Sequence, residues 1–234
     1  MIGARLWRDR RGLAFIEFAL MLPIMILVIM GGLEVMNFAM THQKINRMAM
    51  TAADLTARNR KRIDEADMAV IMQGALMASG LNDFDAQGKL IVSSITRNTA
   101  DTGQWIRWQR CQGSRLTTRS HYGEEGAGET DASLGPLNGI SLPDSVNIIY
   151  AEATYRYRPR YAPWLLSPRD IYYQATYVAR EMPLNSLTNT TNLPEADLKI
   201  CRWPPPPPPP PDPLLTPSPT PVTPAPSSTL SPKA

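Results

Sequence analysis

The chain has 234 residues, 24 of them basic and 21 acidic, for a formal net charge of +3, with two histidines and two cysteines. No basic patch is interleaved with aromatic residues, which argues against nucleic acid as a partner. There is no phosphate-binding glycine loop, paired-histidine metal motif or nucleophile elbow, so the sequence offers no cofactor, no metal site, no small-molecule substrate and no catalytic set.

The first twelve residues carry Arg5, Arg8, Arg10 and Arg11 against Asp9 alone. A short basic segment ahead of an apolar run predicts a cytoplasmic N-terminus with the rest of the chain across the membrane. That tip takes four of the 24 basic and one of the 21 acidic residues, leaving 20 of each, so the basic excess is a topology signal.

The apolar run extends from Leu13 to about Met40, and Phe18–Leu33 holds no charge. Those sixteen residues rise about 24 Å, short of a hydrocarbon core of roughly 30 Å. At least one of Glu17 and Glu34 is therefore drawn towards the apolar zone, snorkels out of it, or finds a partner. Pro23 removes one helix hydrogen bond and predicts a kink.

Gly12, four residues, then Glu17-Phe18 at the edge of a hydrophobic stretch resembles the processing site of type IV-like prepilins. The longer string is Arg11-Gly12 through Ile16-Glu17-Phe18-Ala19-Leu20-Met21-Leu22-Pro23 to Gly31-Gly32-Leu33-Glu34. It resembles the TadE-type pseudopilins of the tight-adherence (Tad/Flp) pilus system over about the first 40 residues. The resemblance implies cleavage after Gly12 by a membrane aspartic (prepilin) peptidase, leaving the apolar segment in the mature protein. It also implies a meeting of the Glu17 carboxylate with the new α-amine of Leu13 on a neighbouring subunit. Pairing within one chain, at i,i+4, is geometrically equal. Its further partners would be the membrane, other pilin or pseudopilin subunits and Tad assembly proteins, with the bulk of the chain periplasmic and the anchor in the inner membrane.

Beyond the apolar run, Ile45, Met48, Ala49, Ala52 and Leu55 continue a helical stripe to about Arg62. A second helix is predicted from the N-cap Asp64, with Met68, Ile71, Met72, Ala75 and Leu76 on one face and Gly80 as its stop. Methionine at this spacing reads as core filling. The period then falls to two. Lys89–Thr96 and Gln104–Arg110 are β-like and joined by a hairpin-type connection over 98–103, and two further alternating runs surround Ile149–Tyr157 and Ile171–Ala179. Pro159, Pro163 and Pro168 mark the turn between the last two. The predicted fold class is α+β: a long N-terminal transmembrane helix continuing into a pilin-like domain with a small antiparallel sheet.

The stretch from Gly123 to Gly139, with Glu124, Glu125, Glu129 and Asp131, fits no calcium-binding loop and is expected as a solvated surface insertion. His42, at the membrane exit, and His121, at the start of the same glycine-rich loop, are expected to be solvated. Cys111 and Cys201 in an exported domain are expected to pair, against alternatives of free thiols or a link between subunits. From Pro204 the chain is eight prolines followed by a Pro/Ser/Thr repeat, which reads as a disordered tail, a polyproline II spacer or a docking segment for an aromatic groove. The divisions expected are thus a leader at 1–12, a transmembrane helix at 13–40, a periplasmic domain at 41–203 and a proline-rich tail at 204–234. Set beside the pseudopilin reading is an uncleaved single-pass envelope protein that binds a protein partner or the cell wall.

Overall fold

The computed structural model describes residues 12–59, 63–115, 118–130, 132–136, 142–143, 146–179 and 186–203. The arginine-rich leader and the proline-rich tail, on which two of the expectations rest, lie outside the described residues.

One helix, α1, runs from Leu13 to Ala57 and continues through Pro23. It ends ahead of the expected Arg62, with the Arg58 N–H bonded back to the carbonyl of Asp54 at 3.0 Å. Helix α2 spans Glu65–Ser79 and opens on Asp64, whose N–H donates to the Asp67 carboxylate at 3.3 Å. It closes on Gly80 at φ 63°, ψ 31°, the left-handed conformation that glycine adopts without a side-chain penalty. A single turn, α3 (Phe84–Gln87), leads into the sheet.

Four strands follow: β1 Gly88–Arg97, β2 Gln104–Gln112, β3 Ile148–Tyr157 and β4 Arg169–Val178. They pair antiparallel in the order β2-β1-β3-β4. A bulge on β2 beside Ser94/Ile95 shifts the β1–β2 register. The β1–β2 hairpin is held by Asn98, whose side-chain carbonyl accepts from the N–H groups of Thr102 and Gly103.

Helices α1 and α2 cover one face of this sheet. The core there joins Ile45, Met48, Ala49 and Ala52 of α1, Met68 and Met72 of α2, and Leu90, Val92, Ile149, Ala151, Ala153 and Ile171 of the strands. The two methionines are fully buried filling, as their spacing implies.

The opposite face is covered too, by the glycine-rich stretch expected to be solvated. Tyr122 and Leu134 pack against Ile95, Ile106, Ile148 and Tyr150. Backbone bonds join Ile106 to Gly126 and Ala127 at 2.9 and 3.1 Å. Gly128 sits at φ 79°, and a Cβ there would lie 2.0 Å from the Gln104 carbonyl oxygen. Gly128, and Gly123, where a Cβ would lie 3.0 Å from the Ile106 side chain, serve close approach to β2, because a sheet with Ile and Tyr on its second face needs a cover.

Candidate functional site

The segment singled out by sequence is fully presented. Gly12 is the N-cap of α1 at φ −77°, ψ −18°, with nothing within 4 Å of where a Cβ would stand. Leu13, Phe15, Ile16 and Phe18 are exposed. Glu17 is exposed and makes no hydrogen bond or ion pair with any described residue. From Leu13 to Leu33 the helix carries an apolar surface that the domain leaves largely uncovered, long and apolar enough to cross a membrane.

On one side of the helix that surface is interrupted at Glu34, while Val35 and Met36 stay exposed on the other. The Glu34 side chain is 0% exposed and is enclosed by the β3–β4 connection. One carboxylate oxygen, Oε2, accepts from the backbone N–H groups of Arg160, Tyr161 and Ala162 at 3.0, 2.6 and 2.8 Å. The other, Oε1, accepts from the Tyr157 hydroxyl. Asn37, one turn along α1, donates to the same phenol at 3.0 Å. Four donors on one carboxyl group satisfy what would otherwise be a costly buried charge. Burial, reinforced by the bond to Glu34, pushes the Tyr157 phenol up to about 12, so it remains a donor at any physiological pH. Of the outcomes open to Glu34 from spacing, the fold selects a partner, and that partner is its own domain.

The seam continues along the helix. His42 is not solvated: its Nδ1 lies 3.1 Å from the Tyr173 hydroxyl, and its ring meets Phe38 and Tyr173 edge-on. Arg169 stacks over Phe38 at 5.5 Å. Beside it opens a groove of about 570 Å³, lined by Asn37, Thr41 and Lys44 on α1 and by Asp83, Tyr155 and Arg158 opposite. Its mixed charges give no single preference for an anion or a cation.

His121 is exposed, as expected of a loop histidine, yet its backbone N–H donates to buried Glu152 at 2.8 Å and its ring lies against Tyr172. Ser120 and Tyr172 also donate to Glu152, so this carboxylate ties the glycine-rich stretch to β3. Among the described residues no group of three His, Cys, Asp or Glu side chains is placed to hold a metal ion.

Cys111 and Cys201 form a disulfide with Cα atoms 4.9 Å apart. The pairing follows from a short β-bridge: Ile200 pairs with Arg110, and the Cys111 N–H donates to the Lys199 carbonyl at 2.6 Å. The last described segment thereby covers the β2 edge. Next to the bridge Arg110 binds Glu65 of α2 through Nε at 2.9 Å and Glu125 through Nη1 at 3.2 Å. This buried arginine joins the helix layer, the sheet and the glycine-rich cover.

Residues 12–54 match the family model of TadE-like protein. The matched span begins at the glycine ahead of α1 and takes in the exposed apolar helix, Glu34 and the first turns of the domain-packed stripe. It supports involvement in the Tad pilus system in general. No curated protein and no solved structure matches the chain.

Proposed function

We propose that this chain, TadE-like over residues 12–54, is a minor pseudopilin of a Tad/Flp pilus, cleaved after Gly12 and held in the membrane by α1. One observation carries the reading: the family match starts at the residue where an exposed helix begins, with a carboxylate, exposed and unpartnered among the described residues, just over one turn further on. A glycine with open space around it suits entry into a protease cleft, since no side chain obstructs an extended backbone.

Cutting the Gly12–Leu13 bond would create an α-amine at Leu13. Glu17 is exposed on α1, and a carboxylate in hydrocarbon costs about 2.5–3.5 kcal/mol even on lenient insertion scales unless it is neutralised. The amine of an adjacent subunit would supply that neutralisation and draw subunits together. On this reading the partners are the membrane, a prepilin peptidase, and other pilin or pseudopilin subunits with Tad assembly proteins. The domain lies on the periplasmic side of the inner membrane, and no catalytic step is assigned to the chain.

N-terminal sequencing of protein recovered from membranes of a peptidase-containing cell tests this. A mature chain beginning at Leu13, and a Gly12→Leu variant about a dozen residues longer, are expected. A chain that still begins at Met1 in that cell would overturn the pseudopilin reading in favour of an uncleaved anchored protein.

A further inference from the structure

The connection that encloses Glu34 has a second, outward surface. Its backbone is committed to the helix through Arg160, Tyr161 and Ala162, and the Leu165 N–H closes a turn onto the Ala162 carbonyl at 2.9 Å. The Cδ2 of Leu165 reaches 3.5 Å from where a Gly31 Cβ would stand, so the loop lies against α1 over positions 31–34. Yet Tyr161, Trp164 and Leu165 remain 41%, 62% and 43% exposed. A rigid, proline-bounded loop that presents two aromatic residues and a leucine to its surroundings requires a reason.

Position supplies it. The exposed stretch Leu13–Leu33 holds twenty-one residues and rises about 31 Å, close to the roughly 30 Å of a bilayer's hydrocarbon. The loop therefore meets α1 at the end of its charge-free run, on the side where Glu34 is enclosed and within two turns of the last exposed apolar residues, Val35, Met36 and Met40, which is the level where α1 passes out of the apolar zone. Tyr and Trp concentrate at that level, with the ring in the acyl boundary and the polar edge in water. Arg158 and Arg160, both exposed, bring cations to the same loop, which suits lipid phosphates.

We propose that the β3–β4 connection is a membrane-interface anchor. Tyr161, Trp164 and Leu165 seat in the headgroup–acyl boundary of the leaflet from which α1 emerges, with Arg158 and Arg160 towards phospholipid phosphates. The Glu34 cluster then fixes the domain's height and tilt on the bilayer. This inference rests on the membrane-spanning reading of α1.

The test uses the full chain in phosphatidylcholine–phosphatidylglycerol vesicles carrying a doxyl quencher near the headgroup end of the acyl chains. Wild type is compared with Trp164→Phe, so that the difference isolates Trp164 emission. The expected result is that this component is quenched by the doxyl lipid and protected from aqueous iodide. Alkaline-carbonate extraction of the same vesicles reports the insertion of α1 separately. Retained protein whose Trp164 emission answers iodide and not the doxyl lipid overturns the anchor alone. Protein that washes out overturns the anchor and the membrane reading together. Shielding from both quenchers that disappears on diluting protein in lipid would identify a contact between copies and also overturn it.

Discussion

The Tyr157 hydroxyl, at the end of β3, donates to the Glu34 carboxylate 123 residues earlier in α1. This bond, with the three backbone N–H groups of 160–162, locks the β3–β4 connection to the helix at the end of its charge-free run. Tyr157→Phe removes one donor to Glu34 and leaves the Asn37 amide without its acceptor, at an expected cost of about 1–2 kcal/mol. Glu34→Ala orphans four donors in a dry setting and is expected to cost more, since each buried unsatisfied group carries about 1–3 kcal/mol. Denaturant unfolding of detergent-solubilised protein measures both. Limited trypsin digestion adds a local readout, because release of the loop in Glu34→Ala should accelerate cleavage after Arg160. Equal digestion rates in wild type and Glu34→Ala would show that the cluster does not hold the loop.

Arg110 occupies a different kind of junction, between Glu65 and Glu125 and almost fully buried. Removing one member of a buried pair strands the other charge, so Arg110→Ala is expected to lose about 3–5 kcal/mol of stability. Arg110→Met combined with Glu65→Leu removes both charges and should recover most of that loss. A double variant as unstable as Arg110→Ala would place the effect in lost packing rather than in an unpaired charge.

Much of this fold is written in local patterns. The period-two runs located all four strands, and Asp64 and Gly80 located the ends of α2, because caps and alternation are decided by neighbours in the chain. What the sequence hid depends on long-range contacts. Glu34 is one carboxylate in an apolar run until Tyr157 and the 160–162 backbone reach it. His42 reads as a solvated residue until Tyr173 folds over it. The acidic, glycine-rich stretch reads as a solvated loop by composition, whereas its glycines permit close packing on Ile106 and Gln104. The signal available was in the strands: Ile148 and Tyr150 on the face away from the helices required a cover. The family match over residues 12–54 stands apart, because a linear motif is legible without any fold.

Glu17 separates a role in assembly from a role in insertion. Glu17→Ala makes α1 more apolar, so membrane retention should be unchanged or stronger, while pilus assembly falls if the carboxylate meets a neighbour's amine. Membrane fractionation and counts of pili by electron microscopy, made on the same cells, read the two effects. Normal piliation in Glu17→Ala would remove the pairing role assigned to this residue.

The Cys111–Cys201 bridge closes a loop of 90 residues in sequence separation. In the chain-entropy picture a loop of this length contributes nominally 4–5 kcal/mol, and measured values centre on about 2–4. Reduction, or the paired change Cys111→Ser with Cys201→Ser, is therefore expected to lower the unfolding midpoint markedly. It should also free the segment at 199–201 from the β2 edge, which faster amide exchange at the Cys111 N–H would report. An unchanged midpoint would mean that the β-bridge of Arg110 with Ile200 holds the segment without the covalent link.

Asp64 caps α2 and gathers a second segment of the chain at the same carboxylate. The Thr190 N–H donates to it at 2.7 Å, and the Thr188, Thr190 and Thr191 hydroxyls donate at 3.2, 3.1 and 2.8 Å. The Thr190 N–H, more than any other contact, holds the carboxyl down to about 2. A group whose pKa is depressed in the folded state binds protons more readily when unfolded, so stability decreases as pH is lowered wherever the two states differ in bound protons. The contribution of Asp64 is fully present above its unfolded value of about 4 and disappears as pH falls through about 2. Thermal unfolding followed from pH 6 down to pH 2 should therefore show a decline in wild type that is shallower in Asp64→Asn, whose amide does not titrate. In that variant the 188–191 segment should already be loosened at neutral pH, because an amide oxygen is a weaker acceptor than a carboxylate. Parallel pH profiles for the two proteins would assign the acid sensitivity to other carboxylates, with Asp170, held low by its bond from Arg115, the next to test.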